Sequence, residues 1–200
     1  MVNVVLATHN PGKRVEWMAL LDGLDFELLL PSELGFEDDI AETGDTYTEN
    51  ALIKARTLCD ASGLPALADD SGLEVDALEG APGVRSARYR LGSDEVRYRA
   101  LLKALEGVPD AERTARFRCV AALALPDGET YTAEGVCEGW ITYETRGEEG
   151  FGYDPVFYIP SLDRTMAEIS QDEKNRISHR ARAARAMRPV LLEVLNLKCD

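Results

Sequence analysis

The chain has 200 residues, 45% of them hydrophobic and 29% charged, which suits one large domain or two small ones and not a disordered polymer. Thirty-six Asp and Glu outweigh twenty-two Lys and Arg, leaving a net charge of −14. That balance argues against wrapping duplex DNA or lying on an anionic membrane, because both reward net positive charge.

No apolar run approaches the ~20 residues of a membrane span; the longest, Cys119 to Pro126, suits a buried strand. The opening Met1-Val2-Asn3-Val4-Val5-Leu6-Ala7 lacks a basic segment and does not read as a signal peptide. Four cysteines (Cys59, Cys119, Cys137 and Cys199) lie far apart with no CxxC pair. Free thiols in a reducing cytoplasm are therefore expected, and a zinc cluster is not. There is no internal repeat or linker, so residues 1–200 read as a single domain.

In chain order, residues 2–7 read as a buried strand and Thr8 to Lys13 as a polar turn. A helix follows with Val15, Met18, Leu21 and Leu20 on its apolar face, ending near Gly23. Phe26 to Leu30 is a second strand. Strand, loop, helix, strand points to an α/β protein with part of its sheet parallel. Thr46-Tyr47-Thr48-Glu49 matches a capping box, and Ala51, Leu52, Ala55, Leu58 and Cys59 form the apolar face behind it, up to Gly63 and Pro65. Leu64 to Ala68 reads as a short strand that ends in Asp69-Asp70-Ser71-Gly72. Residues 94–106 are helical. Residues 114–125 and 129–140 form a hairpin around Pro126-Asp127-Gly128. The last strand is Val156 to Ile159, and a final helix covers roughly 178–196, kinked at Pro189.

Four stretches carry chemistry. The turn Thr8, His9, Asn10, Pro11, Gly12, Lys13 lies between a strand and a helix start, where unpaired amides and the dipole attract anions; an ordinary strand-to-helix turn looks the same. Ala7 and Arg14 exclude a Walker A loop. Second, Glu42 precedes the capped helix, and Asp69 and Asp70 close a strand, where carboxylates suit Mg²⁺. Neighbouring strand residues face opposite ways, so Asp69 and Asp70 should do different jobs. Third, Gly150, Phe151, Gly152, Tyr153 and Asp154 form a glycine-rich loop shaped to present a ring for base stacking, with an acid beside it for the base edge. The aromatics would equally pin the loop to the core. Fourth, Lys174, Arg176, Arg180, Arg182, Arg185 and Arg188 are six cations without an acid among them. They suit a polyphosphate, or a solvated basic face.

Taken together, Thr8 to Lys13, Glu42-Thr43-Gly44 with Glu49-Asn50-Ala51, Ala68 to Leu73, Gly80 to Tyr89, Gly150 to Pro155, and Lys174-Asn175 with Ile177 to Ala181 resemble the inosine triphosphate pyrophosphatase (Ham1-like) family, in that family's order. The resemblance implies a long, twisted, mixed sheet flanked by helices, two lobes around a central cleft, a fold related to Maf, and a homodimer. It implies Mg²⁺-dependent hydrolysis of ITP, dITP and XTP to monophosphate and pyrophosphate, in the cytoplasm, with neither nucleic acid nor membrane as partner. By the same resemblance Thr8 to Lys13 and Lys54 hold the triphosphate. Glu42 and Asp70 bind the metal, and Asp70 also activates water. Ser71 touches substrate, Phe151 stacks on the base, and Gly152, Tyr153 and Asp154 line its pocket. Lys174, His179 and Arg180 complete the base and phosphate contacts. His9 departs from the small residue often found at its position.

The chemistry of the residues agrees. Cleavage between the α and β phosphorus needs an in-line water, a base and countercharge for the leaving pyrophosphate. Donors at the 6-oxo edge favour hypoxanthine and xanthine over adenine. A Maf-like pyrophosphatase acting on pyrimidine or modified nucleotides, and a nucleotide-binding protein without turnover, are the alternatives.

Overall fold

The structure, a computed structural model, describes residues 2–197. Seven strands form one mixed sheet in the order β2-β1-β3-β4-β5-β6-β7. They are β1 (Val2–Leu6), β2 (Phe26–Leu29), β3 (Ala66–Val75), β4 (Thr114–Ala124), β5 (Thr130–Ile141), β6 (Phe157–Ile159) and β7 (Arg164–Thr165). β1 pairs parallel with both β2 and β3. Five residues join β4 to β5, too few for a crossover, so this pair is an antiparallel hairpin. β6 is antiparallel to β5 and β7. The helices are α1 (Pro11–Leu20), α2 (Tyr47–Ser62), α3 (Asp94–Ala104), α4 (Gln171–Ile177) and α5 (His179–Val194). Among the described residues, none is long and apolar enough to cross a membrane.

The chain gathers into two compact units. The first holds the described residues up to Asp70, Cys119–Gly135, and those from Arg180 onward; the second holds Ser71–Arg118 and Val136–His179. The first unit packs Leu6, Leu67, Leu123, Met187 and Leu191 around Trp17. The second has its own core, including Leu73, Leu101, Phe157 and Met166. Each such side chain contributes on the order of 1.5–3 kcal/mol on leaving water. Cys59, Cys119 and Cys137 are free, buried thiols, and Cys199 lies outside the described residues.

Local rules explain most element starts. Asn10 caps α1 by accepting the Lys13 amide at 3.0 Å, with Pro11 in the first turn. Thr46 and Glu49 form the expected reciprocal box on α2, and Gly63 ends that helix at φ 69°.

Three expectations need correction. Val15 and Met18 do not form the buried face of α1; both are at least half exposed. The buried face is Glu16, Trp17 and Leu21: Trp17 and Leu21 enter the apolar core, while Glu16 is held by Arg180 and the Trp17 N–H by Asp69. β3 does not end at Ala68. Asp69, Asp70, Ser71 and Gly72 lie inside it, as pairing and countercharge override the poor strand propensity of Asp and Gly. Val156–Ile159 is not the last strand, since β7 follows. The final helix lies where the sequence placed it, as α5, and runs through Pro189; the basic stretch begins earlier, in a separate α4 that Ser170 and Glu173 cap and Ser178 ends.

Candidate active site

In the first unit β3 presents Asp69 and Asp70 to opposite sides, as strand alternation requires. Asp69 is fully enclosed by α1, α5 and β4. It accepts the Trp17 indole N–H at 3.0 Å. Its Oδ2 lies 3.1 Å from Lys13 Nζ and 3.2 Å from an Arg180 guanidinium nitrogen. Arg180, itself 1% exposed, also pairs with buried Glu16. Lys13, Glu16 and Trp17 share one face of α1 by their i, i+3, i+4 spacing. Burial alone would raise the Asp69 pKa; Lys13 first, then Arg180, Lys54 and the Trp17 bond reverse that and hold it far below the usual carboxylate range. The neighbouring Cys119 thiol is pushed up by its burial and by Asp69.

Asp70 has different company. It accepts from the buried Asn50 side-chain amide at 3.1 Å and lies 3.5 Å from Lys54 Nζ. Burial raises its pKa, against the opposing pull of Lys54 and Lys13. Lys54 also contacts Glu42 Oε1 at 2.6 Å. Burial would lower the Lys54 pKa, but Asp70, Asp69 and Glu42 together hold it above its usual value. Asn50 further accepts the Gly44 amide at 2.8 Å. A Cβ at Gly44 would stand 2.6 Å from that of Glu49, so only glycine lets the Glu42 loop lie this close to α2.

The first loop is built as a helix start. Thr8 Oγ1 accepts the Asn10 amide at 3.2 Å. The His9 ring bonds Asp39 Oδ1 at 3.0 Å and the Phe36 carbonyl at 3.3 Å, which ties it to the acidic loop. Ser71 is partly buried in β3.

In the second unit Lys174 and Asp154 form a buried pair at 2.5 Å, and Lys174 Nζ lies 4.6 Å from the centre of the Phe151 ring. Asp154 also accepts the Phe151 amide at 2.9 Å. The Gly152 amide donates to Asp94, at the start of α3, at 2.7 Å. Tyr153 is buried and donates to the Ser86 carbonyl at 2.9 Å, so this aromatic pins the loop. Phe151 stays partly exposed. His179 is buried and stacks on Phe117 with ring centres 4.7 Å apart. Of the six cations, Lys174 and Arg180 are buried with acids, whereas Arg176, Arg182 and Arg185 are exposed.

Sequence reasoning missed Glu16, Trp17 and Asp94, and had Asn50 in a motif without a role for it. The i+3 spacing from Lys13 to Glu16 was available as a signal; the pairings of the others need the fold.

A model of the Ham1 family matches residues 4–190. The chain belongs to the Ham1 family. It is 50% identical to the dITP/XTP pyrophosphatase of Geobacter sulfurreducens over 185 residues, covering 92% of this chain and 93% of the relative. It is 46% identical to that of Bacillus subtilis over 193 residues, 96% and 98% of the two chains. A solved HAM1 protein structure from Coxiella burnetii superposes with a TM-score of 0.88 at 46% identity, covering 97% of this chain and all of the other.

Among the described residues, no group of three or more His, Cys, Asp or Glu side chains is placed to hold an ion. Glu42 and Asp70 nevertheless converge on one cation, the Lys54 ammonium. Two carboxylates meeting at a cation position fit Mg²⁺, which binds through one or two carboxylates and otherwise keeps waters and substrate phosphates.

Proposed function

We propose that the protein hydrolyses deaminated purine nucleoside triphosphates (ITP, dITP and XTP) to the monophosphate and pyrophosphate, with Mg²⁺. It is an enzyme of nucleotide metabolism, a pyrophosphatase of the family to which it belongs. The observation that carries this reading is the Glu42–Lys54–Asp70 cluster with Asn50, a carboxylate of raised pKa beside a second carboxylate and a buried cation.

Asp70 takes the proton of the attacking water, and Asn50 fixes its orientation. Attack forms a bond from that oxygen to the α phosphorus and breaks the α–β bridge, so negative charge builds on the departing pyrophosphate. Lys13, Lys54 and the amides of the Thr8 to Lys13 turn offset that charge. Glu42 and Asp70 would hold Mg²⁺, which when bound would supply Lewis acidity and make the water more acidic. Ser71 touches the substrate beside Asp70.

The base stacks on Phe151, whose ring is braced by Lys174 and whose loop is held by Asp154 and Tyr153. The backbone amides at the His179–Arg180 start of α5, fixed in place by the Arg180 side chain on Glu16 and Asp69, read the 6-oxo edge and leave the adenine amino group unmatched. The same reading makes the enzyme a cytoplasmic homodimer.

Pyrophosphate release across ITP, dITP, XTP, GTP, ATP and pyrimidine triphosphates, with and without Mg²⁺, tests the proposal. Faster turnover of the deaminated purines that needs the metal is expected. A preference for pyrimidine or methylated nucleotides would favour a Maf-like activity, and binding without pyrophosphate release would make this a nucleotide-binding protein.

A further inference from the structure

The Lys54 ammonium occupies an unusual position. Lys54 lies in the middle of α2, 8% exposed, with Nζ 2.6 Å from Glu42 Oε1 and 3.5 Å from Asp70 Oδ1. The two carboxylates assigned to the metal thus already share one positive charge. A divalent ion seated between them would be a near neighbour of that ammonium, and like charges at such range repel. Lys54 has a flexible four-carbon stem and can re-aim its head. Few groups nearby would receive it, because Asp69 is already engaged by Lys13 and Arg180. A triphosphate brings several anionic oxygens, which would.

Resting on the metal assignment proposed above, we infer that Lys54 is a tethered stand-in for the metal, holding Glu42 and Asp70 together until metal and triphosphate arrive and then moving onto the phosphates. Its consequence is thermodynamic coupling. The metal alone must displace an ammonium that has nowhere comparable to go, and so binds weakly. With triphosphate present the displaced ammonium gains a new partner, so each ligand strengthens the other by the same factor. Lys54 is a positioning residue for the carboxylate pair before it is a phosphate contact. The device also keeps buried Asp70 and half-buried Glu42 from facing each other uncompensated in the empty enzyme.

The test measures binding, not turnover. Mn²⁺ serves as the probe, with free ion followed by electron paramagnetic resonance, in the presence or absence of ITP carrying a non-hydrolysable imido bridge between its α and β phosphorus. Wild type should bind Mn²⁺ weakly alone and about tenfold or more tighter with the analogue, within the usual span of coupling between sites. Lys54→Met should bind Mn²⁺ alone about tenfold tighter than wild type and gain less from the analogue. Arg56→Met, which removes an exposed cation of the same helix that bonds Thr130 instead, should change affinity for Mn²⁺ alone by less than about threefold. If Lys54→Met does not fold, Lys54→Gln carries the same comparison, and added Mn²⁺ should raise its melting temperature more than that of wild type. Mn²⁺ binding no tighter in the Lys54 variants than in wild type overturns the inference while leaving the metal assignment standing. Mn²⁺ affinity unchanged in Glu42→Gln, with analogue present, overturns the metal assignment and this inference with it.

Discussion

Asp69 and Asp70 are chemically identical neighbours that the fold drives apart. Asp69 is locked by Trp17, Lys13 and Arg180, whereas Asp70 keeps a raised pKa beside Glu42 and Lys54. A group held permanently ionised is a poor base, and one nearer neutrality is a better one. Asp70→Asn should therefore fold normally, since the ionised carboxylate costs the fold energy that an amide does not. It should lose at least ~10²-fold in kcat, the lower end of what a positioned base contributes. Circular dichroism and pyrophosphate release check both halves; a variant with more than about a tenth of wild-type rate removes Asp70 from the base role. Arg180 is different in kind. Arg180→Ala leaves Glu16 and Asp69 buried without their shared cation and should cost ~3–5 kcal/mol in urea unfolding. Arg180→Lys keeps the charge but not the planar fork. It should lower the ITP over ATP ratio of kcat/KM, while Lys13→Ala, acting on phosphates common to both nucleotides, should lower activity and leave that ratio unchanged.

The loop between β5 and β6 shows how an element builds half a site from glycine and one acid. Gly150 adopts φ +77°, and a Cβ there would run into Asp154 Oδ2, the atom that holds both the Phe151 amide and Lys174. Gly150→Ala should therefore act like a partial Phe151→Ala. The latter should weaken nucleotide binding by ~1–3 kcal/mol for every base alike, the worth of one stacked ring. Equilibrium binding of ITP, GTP and ATP analogues checks this, and simple unfolding of Phe151→Ala would make Phe151 a core plug instead. The α/β class, the capping box of α2, the hairpin and the aromatic loop were legible because each rests on local rules: caps, turns and alternation. The buried face of α1 was not, because apolar periodicity pointed to Val15 and Met18 while the fold buries Glu16 against Arg180 of α5 and turns Trp17 into the core with its N–H on Asp69 of β3. The length of β3 was hidden for the same reason. An Asp-Asp-Ser-Gly run reads as a strand end until Lys13, Lys54 and Arg180, distant in sequence, are seen to neutralise it. The separate α4 was legible in principle, since Ser170 and Glu173 form a capping box, but its seven residues are too short to carry an apolar period.

Across the whole molecule, an acidic chain has placed its most protected carboxylates beneath its buried cations. Net charge −14 belongs to the surface; Glu16, Asp69 and Arg180 form an interior set that water does not reach. The set makes stability depend on pH with a definite sign. Asp69 titrates far lower when folded than its unfolded value of about 3.9. Its contribution is therefore fully present above about pH 4, and it is lost as pH falls further, because the unfolded chain takes up the proton first. Loss of surface repulsion works the other way as acids neutralise, so the wild-type curve alone does not isolate Asp69. Asp69→Asn shares that surface and lacks only the interior anion. At pH 7 the variant should be less stable by ~3–5 kcal/mol, the cost of leaving Arg180 and Lys13 short of a buried partner. The gap should hold to about pH 5 and narrow by roughly 1 kcal/mol on reaching pH 3, following the slope of about 1.4 kcal/mol per pH unit for one proton. Urea unfolding of both proteins at pH 7, 5 and 3 provides the comparison. A gap that stays constant to pH 3 would mean that Asp69 titrates alike in both states, and that the ion pairs around it do not stabilise its charge.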